Sequence, residues 1–328
     1  MTFVQRAGAV AAAVLAGATV LASWIAPYNP GRQFSDAPFA PPMRPHLLDD
    51  QGHFHRPFVY PIRLADPLER RYEEDRTRRI PLRWFEGSLV AVDGPDPWFA
   101  LGSDSLGRDV FSRLVVGARL SLGVAVLATV LTLALGIAVG AAAGYRGGHL
   151  DEALMRVADL VLVLPVIYVI LALRGALPLV LSNTQVFAAL VGVLSVVGWP
   201  GVAKGVRGIF ITERGEEYAE AARALGAGPI RIAIRHLLPA ARGFLWIQVT
   251  VLVPAFILAE ATVSFAGLGF AAPAPSWGVM LQDAASARVA ADAPWLLAPA
   301  AAIVLTVLAL HMAAHGPGDR SWLDRVSK

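Results

Sequence analysis

Two carboxylates interrupt lipid-length apolar runs of this chain, Asp159 and Glu260. An ionised carboxylate in hydrocarbon is costly, so each must face protein or water, or stand near a membrane boundary. Asp159 is close to one end of its run and has Arg156 within helical reach as a partner. Glu260 stands six residues before the end of its run, with no partner nearby in sequence. Two readings of Glu260 stay open: a residue lining a polar path or its outer gate, and a buried structural hydrogen bond. One or two acids do not make a proton-relay chain.

Other chemistry is thinner. Asp49, Asp50, His53 and His55 offer metal donors, but at no recognised ligand spacing, and they read as solvated loop residues. His311 and His315 close the last apolar run and read as boundary residues. There is no cysteine, hence neither disulfide nor thiolate metal site. No GxxxxGK[ST] phosphate loop occurs, so the chain is not expected to hydrolyse ATP. No Ser, His and Asp set stands in a hydrolase context.

The most specific passage is Ile211 to Ala240. Glu216 to Leu225 is rich in helix formers, with Glu216 and Glu220 four apart and Glu220 three before Arg223. Tyr218, Ala221, Ala222 and Leu225 supply its less polar side. Gly226, Ala227, Gly228 and Pro229 stop that helix, and Ile230 to Leu238 predicts a second one before Pro239. An ordinary surface loop would account for the charges but not for so much compact helix. A rigid helix with alanines at its centre can enter a partner's groove at low entropic cost.

The elements that must hold these residues are membrane spans. Of 328 residues, 56% are apolar and only 16% charged, with a mean hydropathy of +0.56; a water-facing surface usually needs more charge. The net charge of +3 is placed around the apolar runs, which points to topology rather than nucleic acid. Six runs approach the roughly 20 residues that cross a bilayer: Ala7 to Ala26, Leu120 to Ala143, Val157 to Leu173, Val186 to Val202, Phe244 to Ala266 and Trp295 to Met312. The first also has signal-peptide features, but its length and the spans that follow favour a retained helix. Residues 27–100 hold twelve of the 23 prolines and read as a small ordered insert of extended, irregular backbone. Gly267 to Pro294 reads as an exposed or re-entrant loop.

Lys and Arg give the spans a direction. With the amino terminus inside, the short inside segments carry thirteen basic residues, and the short outside loops only Arg174 and Arg288. The insert and the Trp277 loop are then outside, and the loop 203–243 is cytoplasmic. Gly136, Gly140 and Gly144 make a strip on one face of the second span, read as close helix packing, with a flexible gating helix as the alternative. Pro165 and Pro254 are expected to bend the third and fifth spans.

Glu220, Ala221, Ala222, Gly226, Leu238 and Pro239 resemble the EAA motif of permease subunits from bacterial binding-protein-dependent ABC importers. His236 departs from it, standing where many such permeases have an aliphatic residue. Two further stretches resemble the C-type subunit of the dipeptide and oligopeptide branch. Leu101 to Asp109 is similar to its LGTDxxGRD signature, with Ser103 for threonine; Gly102, Asp104, Gly107, Arg108 and Asp109 carry the match. Ser264 to Gly269, then Pro273, Pro275, Ser276, Trp277 and Gly278, are similar to its SFLGLG and PSWG region, with Ala266 for leucine. The first of these also makes local sense, its glycines favouring turns, Asp104 capping backbone, and Arg108 with Asp109 tying the loop to the spans. The tail departs at His315, Gly316 and Pro317, where the branch usually has Gly-Asp and a short basic helix.

The resemblance implies an all-α polytopic fold of the type I importer permease class. The apolar runs, prolines and charges divide the chain into a first helix over 1–26, an extracytoplasmic insert over 27–100, a five-helix core over 101–315 and a cytoplasmic tail over 316–328, with both termini cytoplasmic. The resemblance, over about residues 100 to 310, implies an inner-membrane subunit forming half of a translocation path. The partners implied are a second homologous permease, two ATPase subunits holding ATP and Mg, an extracytoplasmic solute-binding protein and peptide cargo. Glu217, Glu220, Ala221, Ala222, Arg223, Gly226, Leu238 and Pro239 would form the coupling element. Glu260, Ser264, Phe265 and Trp277 would stand at the path or its gate. Nickel chelates, opines or sugars are alternative cargoes; an ion-coupled transporter or a membrane scaffold are alternatives of another class.

Overall fold

A computed structural model describes residues 3–49, 53–66, 70–85, 88–92, 96–176 and 181–314. The chain opens with helices α1 (Phe3–Val20) and α2 (Ala22–Ile25). Six strands follow: β1 (His46–Leu48), β2 (Phe54–Val59), β3 (Ile62–Asp66), β4 (Arg71–Glu74), β5 (Ile80–Trp84) and β6 (Val90–Val92). The rest is helical: α3 (Val110–Arg146), α4 (Gly148–Val163), α5 (Val166–Ala176), α6 (Asn183–Glu213), α7 (Glu217–Ala224) and α8 (Pro229–Ile232). A π-helical turn, Ala233–Leu237, leads into α9 (Leu238–Ala240) and α10 (Arg242–Phe265). Then come α11 (Trp277–Asp283), α12 (Ala287–Asp292), a 3-10 turn Pro294–Leu297 and α13 (Ala298–Ala314).

Four stretches are long and apolar enough to cross a bilayer: α3, α6, α10 and Pro294–Ala314. The third expected span is broken, as Pro165 predicts. α4 and α5 meet at 85°, because Pro165 cannot donate into a helix and pushes Leu164 into extended geometry (φ −75°, ψ 118°). Counted as one span, the pair is a fifth. Pro254 differs in effect, lying inside α10 without interrupting it. The expected span Ala7 to Ala26 is helical through α1 and α2, with one turn residue, Leu21, between them. There Arg119 takes the terminal carbonyls, donating to Thr19 O at 2.9 Å and Val20 O at 2.6 Å, and prolines follow at 27 and 30.

The described chain forms two units. One, drawn from residues up to Leu122 and from Ala261 onward, holds the insert and the motif residues Leu101 to Asp109. The insert is not irregular, as expected from its prolines, but β-structured. β1, β2, β5 and β6 form an antiparallel sheet in the order β1-β2-β5-β6, and β3 pairs with β4 as a ribbon. Alternation on β5 buries Ile80 and Leu82 while Pro81 and Arg83 face out. These pack with Val59, Met43, Trp98 and Phe99 into a small core. Of the two readings of Gly267 to Pro294, exposed or re-entrant, burial of α11 sets aside only the exposed one. Trp277, Gly278, Val279 and Met280 of α11 are buried, and Ser276 caps the helix by accepting from Val279 N–H.

The other unit, Gly123–Glu260, packs the later part of α3 against α6 along the glycine strip. A Cβ on Gly136 would meet Val202 at 2.5 Å, and one on Gly144 would meet Phe210 at 2.7 Å. Gly140 faces the Ala203 carbonyl even more closely. Only glycine permits this approach. α6 runs eleven residues beyond the expected end of its span, so the connection to α10 is shorter than 203–243.

Candidate functional site

The connection from Arg214 to Ala241 carries the EAA-like residues. Arg214 holds it to α3 by donating to Gly144 O (2.9 Å) and Tyr145 O (3.3 Å), and Arg223 donates to Arg214 O at 2.8 Å. α7 begins after Glu216 with Glu217 and Glu220 in its first turn, where their charge suits the helix dipole. It ends in a two-bond glycine cap. Gly226, at φ +82°, donates to Arg223 O, and Ala227 N–H donates to Ala222 O. Pro229 then starts α8 at its first position, where its missing N–H costs nothing.

The buried side of α7 is Ala219 and Ala222, set against Phe210, Ile232 and Leu237. Of the expected less polar side, only Ala222 is buried. Tyr218, Ala221 and Leu225 point outward, with Leu225 89% exposed, joined by exposed Ile230 and Ile234. The Tyr218 hydroxyl donates to Glu213 Oε2 at 2.5 Å. Burial first, then the Glu213 hydrogen bond, push its pKa up to about 12. The second helix does not stop before Pro239 as expected. The π turn Ala233–Leu237 widens the helix just where the Pro239 ring would strike the Arg235 carbonyl of a regular one. The extra residue also brings Ile232 and Leu237, five apart, to one buried side. That unusual spacing was the available signal for both core residues, which sequence reasoning missed.

Asp159 pairs with Lys204 on α6 and not with Arg156, which instead meets Glu152 four residues back at 2.5 Å. Asp151 receives a two-pronged Arg207, one prong at 2.6 Å. Both ties bind α4 to α6.

In the first unit, Leu101 to Asp109 folds around Asp104. Its Oδ1 accepts from the Leu106 and Arg108 backbone N–H groups, each at 2.9 Å. Its Oδ2 accepts from Arg108 Nε at 2.7 Å and Arg113 Nη1 at 2.6 Å. Gly102 and Gly107 take positive φ (+75° and +70°) to let Trp295 and Phe34 approach. Ser103 Oγ accepts from Ala40 N at 2.7 Å and donates to Ala37 O at 2.5 Å, locking the motif to the insert. Asp109 caps α3 by accepting from Ser112 N at 2.7 Å. Burial raises its pKa to about 6. Its Oδ1, with Arg113 Nε and Nη2, is buried without a hydrogen-bond partner among the described residues. Asp283 completes the knot, accepting from Ser105 Oγ at 2.9 Å and facing Arg108 at 3.8 Å. Arg113 and Asp283 are knot residues that sequence reasoning missed; an arginine three residues into an apolar helix was the clue.

The second motif packs on the first part of α3. Trp277 N–H donates to Ser121 Oγ at 3.1 Å and its indole to Leu114 O at 3.0 Å. Ser264 Oγ accepts from Phe270 N at 3.2 Å. Ser264 and Trp277 are therefore packed into the structure, while Phe265 is exposed and Glu260 wholly buried. Asp49 accepts from His53 N–H (2.8 Å), pairs with His55 (2.9 Å) and meets Arg79 at 3.2 Å. Among the described residues no group of three or more His, Cys, Asp or Glu could hold a metal. Asp50, His315 and the tail lie outside the described residues.

Span-length helices joined by a compact helical loop define a multi-pass membrane protein. The family described as binding-protein-dependent transport system inner membrane component matches residues 136–315. The oligopeptide transport system permease protein OppC of Bacillus subtilis (strain 168) is 36% identical over 72% of this chain and 75% of its own length. DppC of the same organism, a dipeptide transport system permease protein, is 39% identical over 68% of each chain. The glutathione transport system permease protein GsiD of Escherichia coli O6:H1 is 36% identical over 71% of this chain and 74% of its own. The chain belongs to the binding-protein-dependent transport system inner membrane components, in the C-type permease branch. It is the permease and not the ATPase of such a system.

Proposed function

We propose that this chain forms half of the path of an ATP-driven importer for dipeptides or oligopeptides. The observation that carries the cargo class is that relatives matched over two thirds of their length are named for oligopeptide, dipeptide and glutathione transport. In this reading the apolar runs make six spans, with α1 as the first, and the basic-residue asymmetry supports cytoplasmic termini. The insert and α11 are then outside and α7 inside. The outward row of Tyr218, Ala221 and Leu225 is a rigid apolar ridge of the kind that seats in a groove. In this reading α7 sits in a cytoplasmic ATPase, with Glu217, Glu220 and Arg223 on its flank and the Gly226 cap fixing its end. Two ATPase subunits with ATP and Mg, a second permease and an extracytoplasmic binding protein complete the machine.

Access alternates because the α7 loop is tied rigidly to α3 and α6 through Arg214 and Arg223. A pull on α7 by ATPase closure then reaches the spans. Affinity purification in mild detergent, with every bound subunit identified, tests the assembly. Recovery of a second permease and two ATPase chains is expected; a stable complex lacking any ATPase would refute it. Uptake of labelled dipeptides by cells carrying the whole system tests the cargo.

A further inference from the structure

Two exposed aromatic side chains meet where the first helix ends, and a third exposed one, Trp84, is adjacent to them in the chain. Trp24 of α2 is 40% exposed, Trp84 52% and Phe85 68%. The Trp24 and Phe85 rings lie 5.7 Å apart, centre to centre. Leu89 N–H donates to Trp24 O at 2.7 Å, and Phe85 N–H to Leu89 O at 3.2 Å. The end of the β5–β6 pair is thus fastened to α2 by backbone. Phe85 itself stands at φ +64°, a region a bulky side chain rarely adopts, and its ring is left outside the core.

This cluster continues an apolar strip. Val10, Val14, Val20 and Leu21 are exposed along α1 and its end. α1 lies antiparallel to the span-length α13: Gly8 meets Met312 and Ala313, while Leu15 and Ala18 share an apolar cavity of about 110 Å³ with Ala302. Arg119 marks a depth. It stands just before the apolar run from Leu120 and donates to Thr19 O, Val20 O and Ser23 Oγ. Trp24 directly follows Ser23, which that cation touches. A cleft of about 480 Å³ with a mixed polar and apolar lining includes Ser23, next to Trp24, and Ser88, next to Leu89, with Tyr28, Asn29 and Arg32 as its other polar residues. Aromatic rings with apolar body on one side and polar surroundings on the other belong at the headgroup level of a bilayer.

The geometry points to an interfacial anchor: Trp24, Trp84 and Phe85 seat in the headgroup boundary of the bilayer and hold the four-stranded sheet of the insert against the membrane. It rests on the reading of α1 as bilayer-embedded, but not on which side the insert occupies. Because the chain has no cysteine, Phe85→Cys, Val14→Cys and Phe54→Cys each give one labelling site. The full chain, spin-labelled at one site, is reconstituted in phosphatidylcholine–phosphatidylglycerol vesicles, and collision with oxygen is compared with collision with a water-soluble nickel chelate. The labels at 14 and 85 should favour oxygen, 85 at shallower depth, while 54 on the exposed face of β2 should favour the chelate. Trp84→Cys gives a second reading should Phe85→Cys fail to insert. A label at 85 that behaves like 54 overturns the anchor, as does one reached by neither reagent, which would mean that protein covers it. If the label at 14 favours the chelate, the embedding of α1 fails and the anchor with it.

Discussion

Asp104 Oδ2 and Arg113 Nη1 are paired at 2.6 Å with both side chains out of water. Breaking such a pair from one side leaves a buried charge uncompensated, which costs about 3–5 kcal/mol. Asp104→Asn should therefore lower the melting temperature of the detergent-purified chain sharply, while Asp36→Asn on the exposed surface should leave it unchanged. Thermal unfolding followed by loss of the monodisperse peak reads both. Replacing the pair together, Asp104→Leu with Arg113→Met, should recover only the part of the loss due to Arg113, since Arg108 and the Leu106 and Arg108 N–H groups still lose their acceptor.

Asp109 predicts a pH dependence of the opposite sense to an ordinary paired carboxylate. Burial raises its folded pKa to about 6, so the folded state binds a proton more tightly than the unfolded one. Its contribution to stability is full below the unfolded pKa near 4 and is lost as pH rises through about 6. The shift is worth about 3 kcal/mol. Asp283, also raised chiefly by burial, adds to the same slope. Asp109→Asn keeps an acceptor for Ser112 N–H, so it should be at least as stable as the parent at pH 7 and show a flatter stability profile between about pH 4 and 6. A slope identical to the parent's would remove Asp109 from the account.

The glycines of α3 and α6 separate close packing from mere flexibility. Gly140 faces the Ala203 carbonyl and Val206, so Gly140→Leu must push the helices apart, at a cost of several kcal/mol, about the scale of severe overpacking. Gly201, on α6, has nothing within 4 Å of where its Cβ would stand. Gly201→Ala should stabilise by about 0.5–1 kcal/mol through helix propensity alone. Equal tolerance at both positions, scored by folded yield and melting temperature, would refute the packing role.

The long spans were readable because lipid demands a continuous apolar run, and Pro165 was readable because the missing N–H acts locally. The strands of the insert were not, because Pro57 and Pro81 speak against a ladder. Their places excuse them. Pro81 opposes Phe58 beyond the end of the β5–β6 ladder, which begins at Leu82, and Pro57 falls in the irregular stretch between the Phe54 and Phe58 partners of β1. The Gly226 cap was legible from Gly-Ala-Gly-Pro. The identity of the inward face of α7 was not, because four alanines among eight residues give a helix little amphipathic contrast, and tertiary packing on Phe210 chose Ala219 and Ala222. Arg156 was misassigned because two acids lay within its helical reach.

The coupling role of α7 is open to a test that separates folding from docking. Gly226 at φ +82° closes the helix through two backbone bonds; Gly226→Val forces a branched side chain into left-handed geometry, costing about 1–2 kcal/mol, and should loosen that end. Glu220→Lys leaves the buried face alone. Glu220 is exposed, so the loss to the chain itself is about 0.3–1 kcal/mol from the helix dipole. Both variants should insert and assemble normally, since neither touches a span. In proteoliposomes of the whole complex, ATP hydrolysis should continue while peptide uptake per ATP falls, by about tenfold if 1.4 kcal/mol of coupling is lost. Leu225→Asp, at the most exposed apolar position of the ridge, should instead weaken retention of the ATPase during purification. Uptake per ATP equal to the parent's in Glu220→Lys and Gly226→Val, with full ATPase retention in Leu225→Asp, would mean that the ridge does not meet the ATPase. The tie from Arg223 to Arg214, and from Arg214 to the end of α3, would then serve only to hold a loop in place.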